Sequence, residues 1–150
     1  MGICGKEYAD KVLELNRVCL MDNTKNQASF LVANSIKLLP KPSIIVSYAD
    51  TGQGHVGYVY QATNFLFTGT TKERTDMSAG EGKHSRHATD PSIRQFRSAK
   101  HRYIYFHGDK RQKKILNSLL KYPVEPYPKG DSVRYDSGKE VRTQGLLFFG

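Results

Sequence analysis

The chain has 150 residues, with 23 Lys and Arg against 14 Asp and Glu, and therefore a formal net charge of +9. This length suits a single domain over residues 1–150, and a hydrophobic content of 38% is enough for a packed core. No apolar run is long enough to cross a bilayer, the N-terminus lacks the apolar stretch of a secretory signal, and two cysteines are too few for a disulfide framework. We therefore expect a protein of a reducing cytoplasm.

The first third of the chain predicts a βαβ unit. Residues 12–20 carry apolar side chains on both faces, which is typical of a central strand covered by helices on each side. A helix is predicted over residues 24–39, with Asn23 or Thr24 as its N-cap. The β-branched run at residues 44–48 predicts a second buried strand. A strand, a helix and a strand in this order predict two parallel neighbours and the α/β class.

The remainder of the chain predicts a mixture of short elements and one long loop. A short helix is predicted over residues 55–64, and a strand over 65–67 that ends at residues 68–70. Residues 70–100 are polar and poor in aliphatic side chains, so we expect a long, mostly irregular, basic loop. A strand over residues 102–106 and a basic helix over 110–120 follow. The predicted buried stripe of that helix is formed by Ile115, Leu116, Leu119 and Leu120.

The positive charge is concentrated in residues 72–114, which hold twelve basic and five acidic side chains, a net charge of +7. Such a segment attracts a polyanion, and aromatic residues between the cations can stack on bases. The candidate nucleic-acid-binding residues are Lys83, Arg86, Arg94, Arg97, Lys100, Arg102, Lys110 and Arg111. Two alternatives stay open: the basic residues form an ordinary solvated surface, and the aromatic residues of the predicted strand, Tyr103, Tyr105 and Phe106, belong to the core.

The end of the second predicted strand is the candidate catalytic position, because open α/β sheets bind ligands at the carboxyl ends of parallel strands. Ser47, Tyr48 and Asp50 lie there. Asp50 is a candidate general base, and Tyr48 or Ser47 can position or relay a proton. The alternative for Asp50 is a structural turn with the Thr51–Gly52 backbone.

The N-terminus of the first predicted helix is a candidate phosphate site, since its free N–H groups and helix dipole favour an anion. Lys25, Asn26 and Ser29 lie in that turn, although an ordinary capped helix explains them equally well. The sequence has neither a dinucleotide-binding nor a P-loop motif. His84 and His87 have metal-ligand spacing without a third ligand nearby, so we expect no metal site.

Three segments together resemble the Mom family of phage DNA-modification proteins. They are LELNRVCL at residues 13–20, SYADTGQGHVGYVYQATNF at 47–65, and RYIYFHGDKRQKK at 102–114 with YPVEPYPKG at 122–130. The family is placed in the GNAT acyltransferase superfamily and modifies adenine by methylcarbamoylation. The resemblance implies modification of the N6 amine of adenine in double-stranded phage DNA, in the host cytoplasm, as protection from host restriction nucleases.

The resemblance also implies a fold and a site. A GNAT-like mixed sheet, flanked by helices, would have two splayed parallel strands, with an acyl-CoA-type donor between them. Asn16 and Arg17 would line the cleft, while Lys25, Asn26 and Ser29 would meet the donor pyrophosphate. Ser47, Tyr48 and Asp50 would lie beside the acceptor amine. The glycine-rich phosphate loop of the superfamily is replaced here by KNQAS, so the resemblance leaves the donor open.

Members of the family carry further strands before the segment that matches residues 2–5. The resemblance therefore implies an N-terminally shortened sheet and a separately encoded N-terminal fragment as a partner. Two alternatives to the DNA-modifying enzyme stay open. One is a non-catalytic or split-gene DNA-binding remnant, and the other is a GNAT-type acyltransferase that acts on a protein or a small amine.

Overall fold

The computed structural model describes residues 2–22, 24–79, 88–130 and 146–148. Within them it is a mixed α/β structure with three α-helices, two short 3-10 helices and two β-sheets. The 3-10 helices are Lys6–Lys11 and Thr51–Gln53. The α-helices are α1 (Gln27–Lys37), α2 (Tyr58–Ala62) and α3 (Lys110–Leu119). The strands are β1 (Val12–Glu14), β2 (Ser43–Asp50), β3 (Leu66–Thr70), β4 (Arg74–Met77), β5 (Ile93–Arg97), β6 (Lys100–His107) and β7 (Leu146–Phe148).

The main sheet has the strand order β1-β2-β6-β3. Strands β1 and β2 pair in parallel, from Val12 opposite Ile44 to Glu14 opposite Val46, and α1 connects them. The predicted βαβ unit is therefore confirmed. The other two pairings, β2 with β6 and β6 with β3, are antiparallel, which makes the sheet mixed.

The prediction of a long central first strand is wrong. Strand β1 spans three residues at the edge of the described sheet, and its Leu13 side chain is 42% exposed. One further backbone bond, from Leu15 N–H to Val46 C=O, extends the pairing before the chain departs from β2. The apolar residues that follow β1 face α1 and solvent, which is why their pattern resembles a strand buried on both faces.

Strand β2 is the center of the molecule because each of its faces is covered. Ile45 and Ala49 belong to a core cluster with the α1 residues Val32 and Ile36. On the opposite face, Ile44 and Val46 belong to a second cluster that includes Cys4, Ile104, Phe106 and the α3 residue Leu116. Burial on both faces explains the continuous β-branched run of this strand.

The described parts of residues 70–100, which are 70–79 and 88–100, are not the irregular loop that the sequence predicts, because they contain β4 and β5. These strands pair antiparallel, from Arg74 opposite Arg97 to Met77 opposite Arg94, and β7 completes a second, three-stranded sheet. The Asp76 carboxylate lies 3.2 Å from Arg74 Nε and 3.5 Å from Arg97 Nε. Because backbone bonds and ion pairs hold this sheet, its residues lack the aliphatic alternation that usually reveals a strand.

Element ends differ from the predictions at several places. Helix α1 begins at Gln27 rather than at residue 24, and Asn23 lies outside the described residues. Strand β3 continues through Thr70, where it was predicted to end after residue 67. In α3, Leu116 is buried, whereas Ile115 and Leu119 are exposed, so the predicted buried stripe of four is too wide. Leu120 follows the helix and packs against the core cluster of Leu116.

The segment SYADTGQGHVGYVYQATNF builds a large part of the scaffold around β2. Gly57 has a φ of +81°, and a side chain there would overlap the Tyr103 ring. The Tyr103 hydroxyl donates to Val56 C=O and accepts from Gln61 Nε2, which also donates to Pro128 C=O. These bonds join α2, β6 and the segment after α3.

No helix in the described ranges has the length and apolar character that a bilayer crossing requires.

Candidate active site at the carboxyl end of strand β2

Two of the three predicted catalytic residues lie on the same face of β2, and the third does not. Side chains alternate along a strand, so Tyr48 and Asp50 share the face of Ile44 and Val46. Ser47 lies on the opposite face, where it is fully buried and its hydroxyl donates to Leu15 C=O at 2.7 Å. The structure therefore brings together Tyr48 and Asp50, while Ser47 ties β2 to the end of β1.

The Asp50 carboxylate is held by three groups from the turn after β2 and from the β5–β6 region. One oxygen accepts from Gly52 N–H at 2.9 Å and from the Ser98 hydroxyl, and the other lies 3.3 Å from Lys100 Nζ. Burial alone would raise the pKa of Asp50, but the hydrogen bonds from Ser98 and Gly52 and the charge of Lys100 outweigh it. The net effect is a pKa below the ordinary value, so this carboxylate stays ionised.

Asp50 therefore does two things: it stabilises the turn after β2, and part of its carboxylate remains exposed beside the cations of residues 72–114. The hydrogen bond to Gly52 caps the 3-10 helix Thr51–Gln53, as the structural alternative required. At the same time, 16% of the side chain remains exposed, next to Lys100 of the segment 72–114. A partly exposed carboxylate that faces a cationic surface can still receive a proton from a bound ligand.

Tyr48 lies two residues before Asp50 on the same face of β2, and 38% of the residue is exposed. Burial is the main cause of a raised pKa for its phenol; the charge of Arg102 lowers that pKa, and the charge of Glu14 raises it. The hydroxyl is therefore protonated at neutral pH and available as a hydrogen-bond donor. Arg102 is the direct cross-strand partner of Tyr48 on β6, so the two side chains are neighbours.

Arg102 is fixed by two elements. Its Nε donates to Thr68 Oγ1 at 3.0 Å and its Nη2 to Thr68 C=O at 2.8 Å, while its guanidinium carbon lies 3.5 Å from the centroid of the Tyr122 ring. Strand β3 and the segment after α3 thus hold a cation beside Tyr48. We refer to Tyr48, Asp50, Lys100 and Arg102 as the β2-end cluster.

The five residues assigned to a donor by resemblance are not gathered in one place. A groove of about 420 Å³ runs between α1 and residues 13–19, and Arg17 lines it. Its other lining residues are mostly apolar, namely Leu13, Leu15, Val18, Leu31, Val32, Ile36, Leu39 and Ile45, with Glu14, Cys19 and Ser35. Asn16, Lys25, Asn26 and Ser29 do not line this groove.

Lys25, Asn26 and Ser29 lie at the N-terminus of α1, as predicted. Asn26 is the N-cap in a left-handed conformation, and its side chain makes no capping hydrogen bond. The Ser29 hydroxyl donates to Asn26 C=O at 3.0 Å. In the described part of the chain, Lys25 has no carboxylate within 4 Å. An uncapped helix start beside a lysine is an arrangement that suits an anionic group.

The predicted nucleic-acid-binding residues fall into two groups. Arg94, Arg97, Lys100 and Arg102 belong to β5 and β6, and Arg97 and Lys100 are already paired with Asp76 and Asp50. Lys110 and Arg111 begin α3, beyond His107, which pairs with the start of β2 rather than with its end. Lys83 and Arg86 lie outside the described residues, as do His84 and His87.

Sequence reasoning missed three members of the site. Ser98 bonds to Asp50, Tyr122 stacks on Arg102, and Glu14 faces Tyr48 closely enough to raise its pKa. Each is far from β2 in the sequence. The pairing of β2 with β1 and β6 brings Glu14 and Ser98 to the site, and the path of the chain after α3 brings Tyr122 there. Across the described ranges, no three His, Cys, Asp or Glu side chains form a group suited to a metal ion.

Comparison with known proteins agrees with the resemblance found in the sequence. The profile of the Mom protein family matches residues 2–129. The chain is also 34% identical, over 139 residues, to the methylcarbamoylase Mom of Escherichia phage Mu. That alignment covers 78% of this chain and 56% of the Mu protein, so the chain spans little more than half the length of this relative.

Proposed function

Because the chain belongs to the Mom protein family, whose profile matches residues 2–129, we propose that it is a transferase that modifies the N6 amine of adenine in phage DNA. The observation that carries the proposal is the β2-end cluster, in which an ionised carboxylate and a protonated phenol lie among cations on one face of the sheet. The relative from phage Mu is named a methylcarbamoylase, and we propose the same modification here, as protection from host restriction in the host cytoplasm.

The chemistry of adenine explains why such a cluster is needed. The N6 lone pair is delocalised into the purine ring, so the amine is a weak nucleophile that must be positioned closely against an electrophile. Once N6 has formed its new bond, the nitrogen is positively charged and strongly acidic. Asp50 can take up that proton even though its pKa is lowered. The Tyr48 oxygen would orient the base by accepting a hydrogen bond from the N6 amine, and its O–H, which remains protonated, stays available as a donor.

The target adenine has to leave the base stack to reach this cluster, since its N6 atom is enclosed within the duplex. Cations of the segment 72–114 would neutralise the phosphates on either side during that step. Of these, Arg94, Lys100 and Arg102 lie on the strands that adjoin the β2-end cluster. The basic residues would therefore serve the same reaction as Tyr48 and Asp50.

We assign an acyl-CoA-type donor to the N-terminus of α1, where Lys25 and the first-turn N–H groups would hold its pyrophosphate. The donor would supply the electrophilic carbon, and the bond from that carbon to the donor's sulfur would break as the bond to N6 forms, with the free thiol as the leaving group. Titration of coenzyme A into the Lys25→Gln variant should show about tenfold weaker binding than the unaltered chain, as expected for loss of a charged hydrogen bond. The control is Lys37→Gln, which removes a charge at the other end of α1 and should bind coenzyme A as tightly as the unaltered chain does. Equal affinity in the unaltered chain and in Lys25→Gln would contradict the assignment.

The direct test is mass spectrometry of nucleosides from plasmid DNA that was coexpressed with the full chain. We expect a modified deoxyadenosine whose added mass lies on N6, and its loss in Asp50→Asn. Asp10→Asn, an exposed carboxylate paired only with Lys11, is the matched control and should leave the modification unchanged. Unmodified adenine throughout, in cells that contain the folded soluble chain, would contradict the proposal.

A second candidate function is favoured by the exposed apolar surface of β1 and α1. Leu13 and Phe30 are 42% and 71% exposed, and the groove beside them is mostly apolar. In this candidate the chain binds DNA and modifies it only when a separately encoded fragment covers that surface. Modification that appears only on coexpression with such a fragment would distinguish the split enzyme from the complete one. Acylation of a small amine in the absence of DNA would instead favour a GNAT-type acyltransferase that acts on a protein or a small amine.

A further inference from the structure

Arg102 is held more rigidly than a surface arginine needs to be. Two of its five N–H donors are bonded to Thr68, which is itself 1% exposed, and one face of the guanidinium is covered by Tyr122. Fixing a long side chain in advance removes most of the conformational entropy that a ligand would otherwise have to overcome. The other three N–H donors have no hydrogen-bond partner within residues 2–22, 24–79, 88–130 and 146–148, so they can serve a ligand.

This half-buried cation lacks a carboxylate partner. Among the described residues, no Asp or Glu oxygen lies within 4 Å of Arg102, whereas Arg74, Arg97 and Lys100 each have one. Partial burial of a charge without a counter-charge is unfavourable for folding, and an arriving anion would relieve that cost. A guanidinium without a carboxylate at contact distance can receive an anion, although the charges of Glu14 and Asp50 nearby oppose that binding.

Tyr48 supplies a second donor at the same place. It is the cross-strand neighbour of Arg102 and shares its face of the sheet. Its hydroxyl has no hydrogen-bond partner in the portion of the chain that the structure describes, and 38% of the residue is exposed. Although the guanidinium is bonded to Thr68 on β3, its charge still acts on the Tyr48 phenol across β6. A guanidinium and a phenol on the same face of two paired strands can together bind the several acceptor oxygens of a phosphate group.

We infer that Arg102 and Tyr48 form a binding subsite for a phosphate group beside Asp50. The phosphate has two sources of equal chemistry, the backbone phosphodiester of DNA next to the target base and the phosphate of an acyl-CoA-type donor. The second source would contradict the assignment of that donor to the N-terminus of α1, which lies on the other side of the sheet. The inference rests on the proposed function only for the choice of these two sources. Its structural basis is the fixed, carboxylate-free guanidinium and the unpartnered phenol.

The test measures the binding of two probes to the full chain, a fluorescein-labelled short DNA duplex over a range of salt concentrations and coenzyme A by calorimetry. Arg102→Gln should bind one of the probes about tenfold more weakly, and Tyr48→Phe several-fold more weakly. If the duplex is the ligand, Arg102→Gln should also lower the slope of log K against log salt by about 1. Arg102→Lys should keep that slope but lose affinity, since a lysine has no planar fork.

The matched control is Lys37→Gln, which loses one positive charge from α1, on the opposite side of the sheet from Arg102. Tyr48→Phe keeps the test valid if Arg102→Gln fails to fold, because Tyr48 makes none of the bonds that hold Arg102. The inference is overturned if Tyr48→Phe and any folded Arg102 variant bind both probes as Lys37→Gln does. Arg102 would then only join β3 to the segment after α3.

The subsite and the proposed function fail in different ways. Weaker probe binding by the variants, in a chain that leaves coexpressed adenine unmodified, supports the subsite and contradicts the enzyme. Full adenine modification by Arg102→Gln, with unchanged binding of both probes, supports the enzyme and overturns the subsite.

Discussion

At the scale of single residues, the environment of Asp50 decides what this carboxylate can do. Three donors converge on it, and together they outweigh the effect of burial on its pKa. A base with a lowered pKa does not activate a neutral amine, but it can receive a proton from one that has become positively charged. In the proposed reaction, Asp50 would therefore receive a proton after bond formation at N6 rather than remove one before it.

The same environment predicts a pH dependence of stability. A carboxyl whose pKa is lower in the folded than in the unfolded chain stabilises the fold above its unfolded pKa of about 3.9. That contribution is lost as the pH falls through the folded pKa. We therefore expect Asp50→Asn to lower the free energy of unfolding by about 1–2 kcal/mol at neutral pH, and by progressively less below about pH 4.

Urea unfolding of both chains at a series of pH values measures this difference. Asp10→Asn is the control, because Asp10 is exposed and pairs only with its neighbour Lys11, so its loss should have little effect. A difference between Asp50→Asn and the unaltered chain that stays constant from neutral to acidic pH would contradict the assigned pKa shift.

At the scale of elements, the sequence predicted the parts that a hydrophobic pattern specifies. The helix and second strand of the βαβ unit and the strand and helix after residue 100 were found with ends shifted by a few residues, whereas the first strand is six residues shorter than predicted. The pattern could not show that β1 is a short edge strand. The apolar residues within 15–20 face α1 and solvent, whereas the pattern predicted helices on both faces of this segment. It also missed β4 and β5, whose polar residues are held by backbone pairing and by Asp76.

The candidate site was predicted in part for the same reason. Tyr48 and Asp50 follow from their position at the end of a buried strand. Ser47 is also near the end of that strand, but because side chains alternate along a strand, it is buried on the opposite face of β2 from Tyr48 and Asp50. Ser98 and Tyr122 are brought to the site by strand pairing and by the chain after α3, which local patterns do not encode.

Helix α3 provides a test of which residues hold the face of the sheet that carries Tyr48. Leu116 is 1% exposed and packs against Ile44, Val46 and Ile104, whereas Leu119 is 41% exposed. Leu116→Ala should lower the free energy of unfolding by about 2–5 kcal/mol. Leu119→Ala, on the same helix with the same chemical change, should cost no more than about 0.5 kcal/mol. Thermal or urea unfolding of both variants measures the contrast, and equal losses would contradict the packing.

At the scale of the whole molecule, the positive charge is divided between the two ends of the main sheet. Lys100 and Arg102 lie near the end of β2, and Lys110, Arg111, Lys113 and Lys114 begin α3 beyond the other end of β6. The eight residues of β6 separate these ends by about 23 Å at the usual rise of a strand. A duplex that places a base at the β2-end cluster would therefore meet the α3 cations at a phosphate several base pairs away.

This division predicts separate effects of the two groups of cations. The double variant Lys110→Gln, Arg111→Gln should bind a duplex more weakly and lower its salt slope by about 2, because two phosphate contacts are lost. Coenzyme A binding should not change. Fluorescence anisotropy over a salt series measures the slope, with Lys37→Gln as the control for loss of charge alone. An unchanged slope in the double variant would show that α3 does not contact the DNA.

The most direct test of the account is to find where an adenine from DNA contacts the protein. A duplex with a photoreactive azidoadenine at the target position can be crosslinked to the full chain, and the attached peptide can be identified by mass spectrometry. We predict attachment at Tyr48 or at residues next to it in the β2-end cluster, with competition by unlabelled duplex. Attachment confined to α3, or to the groove between α1 and residues 13–19, would contradict the assignment of this cluster as the site of the reaction.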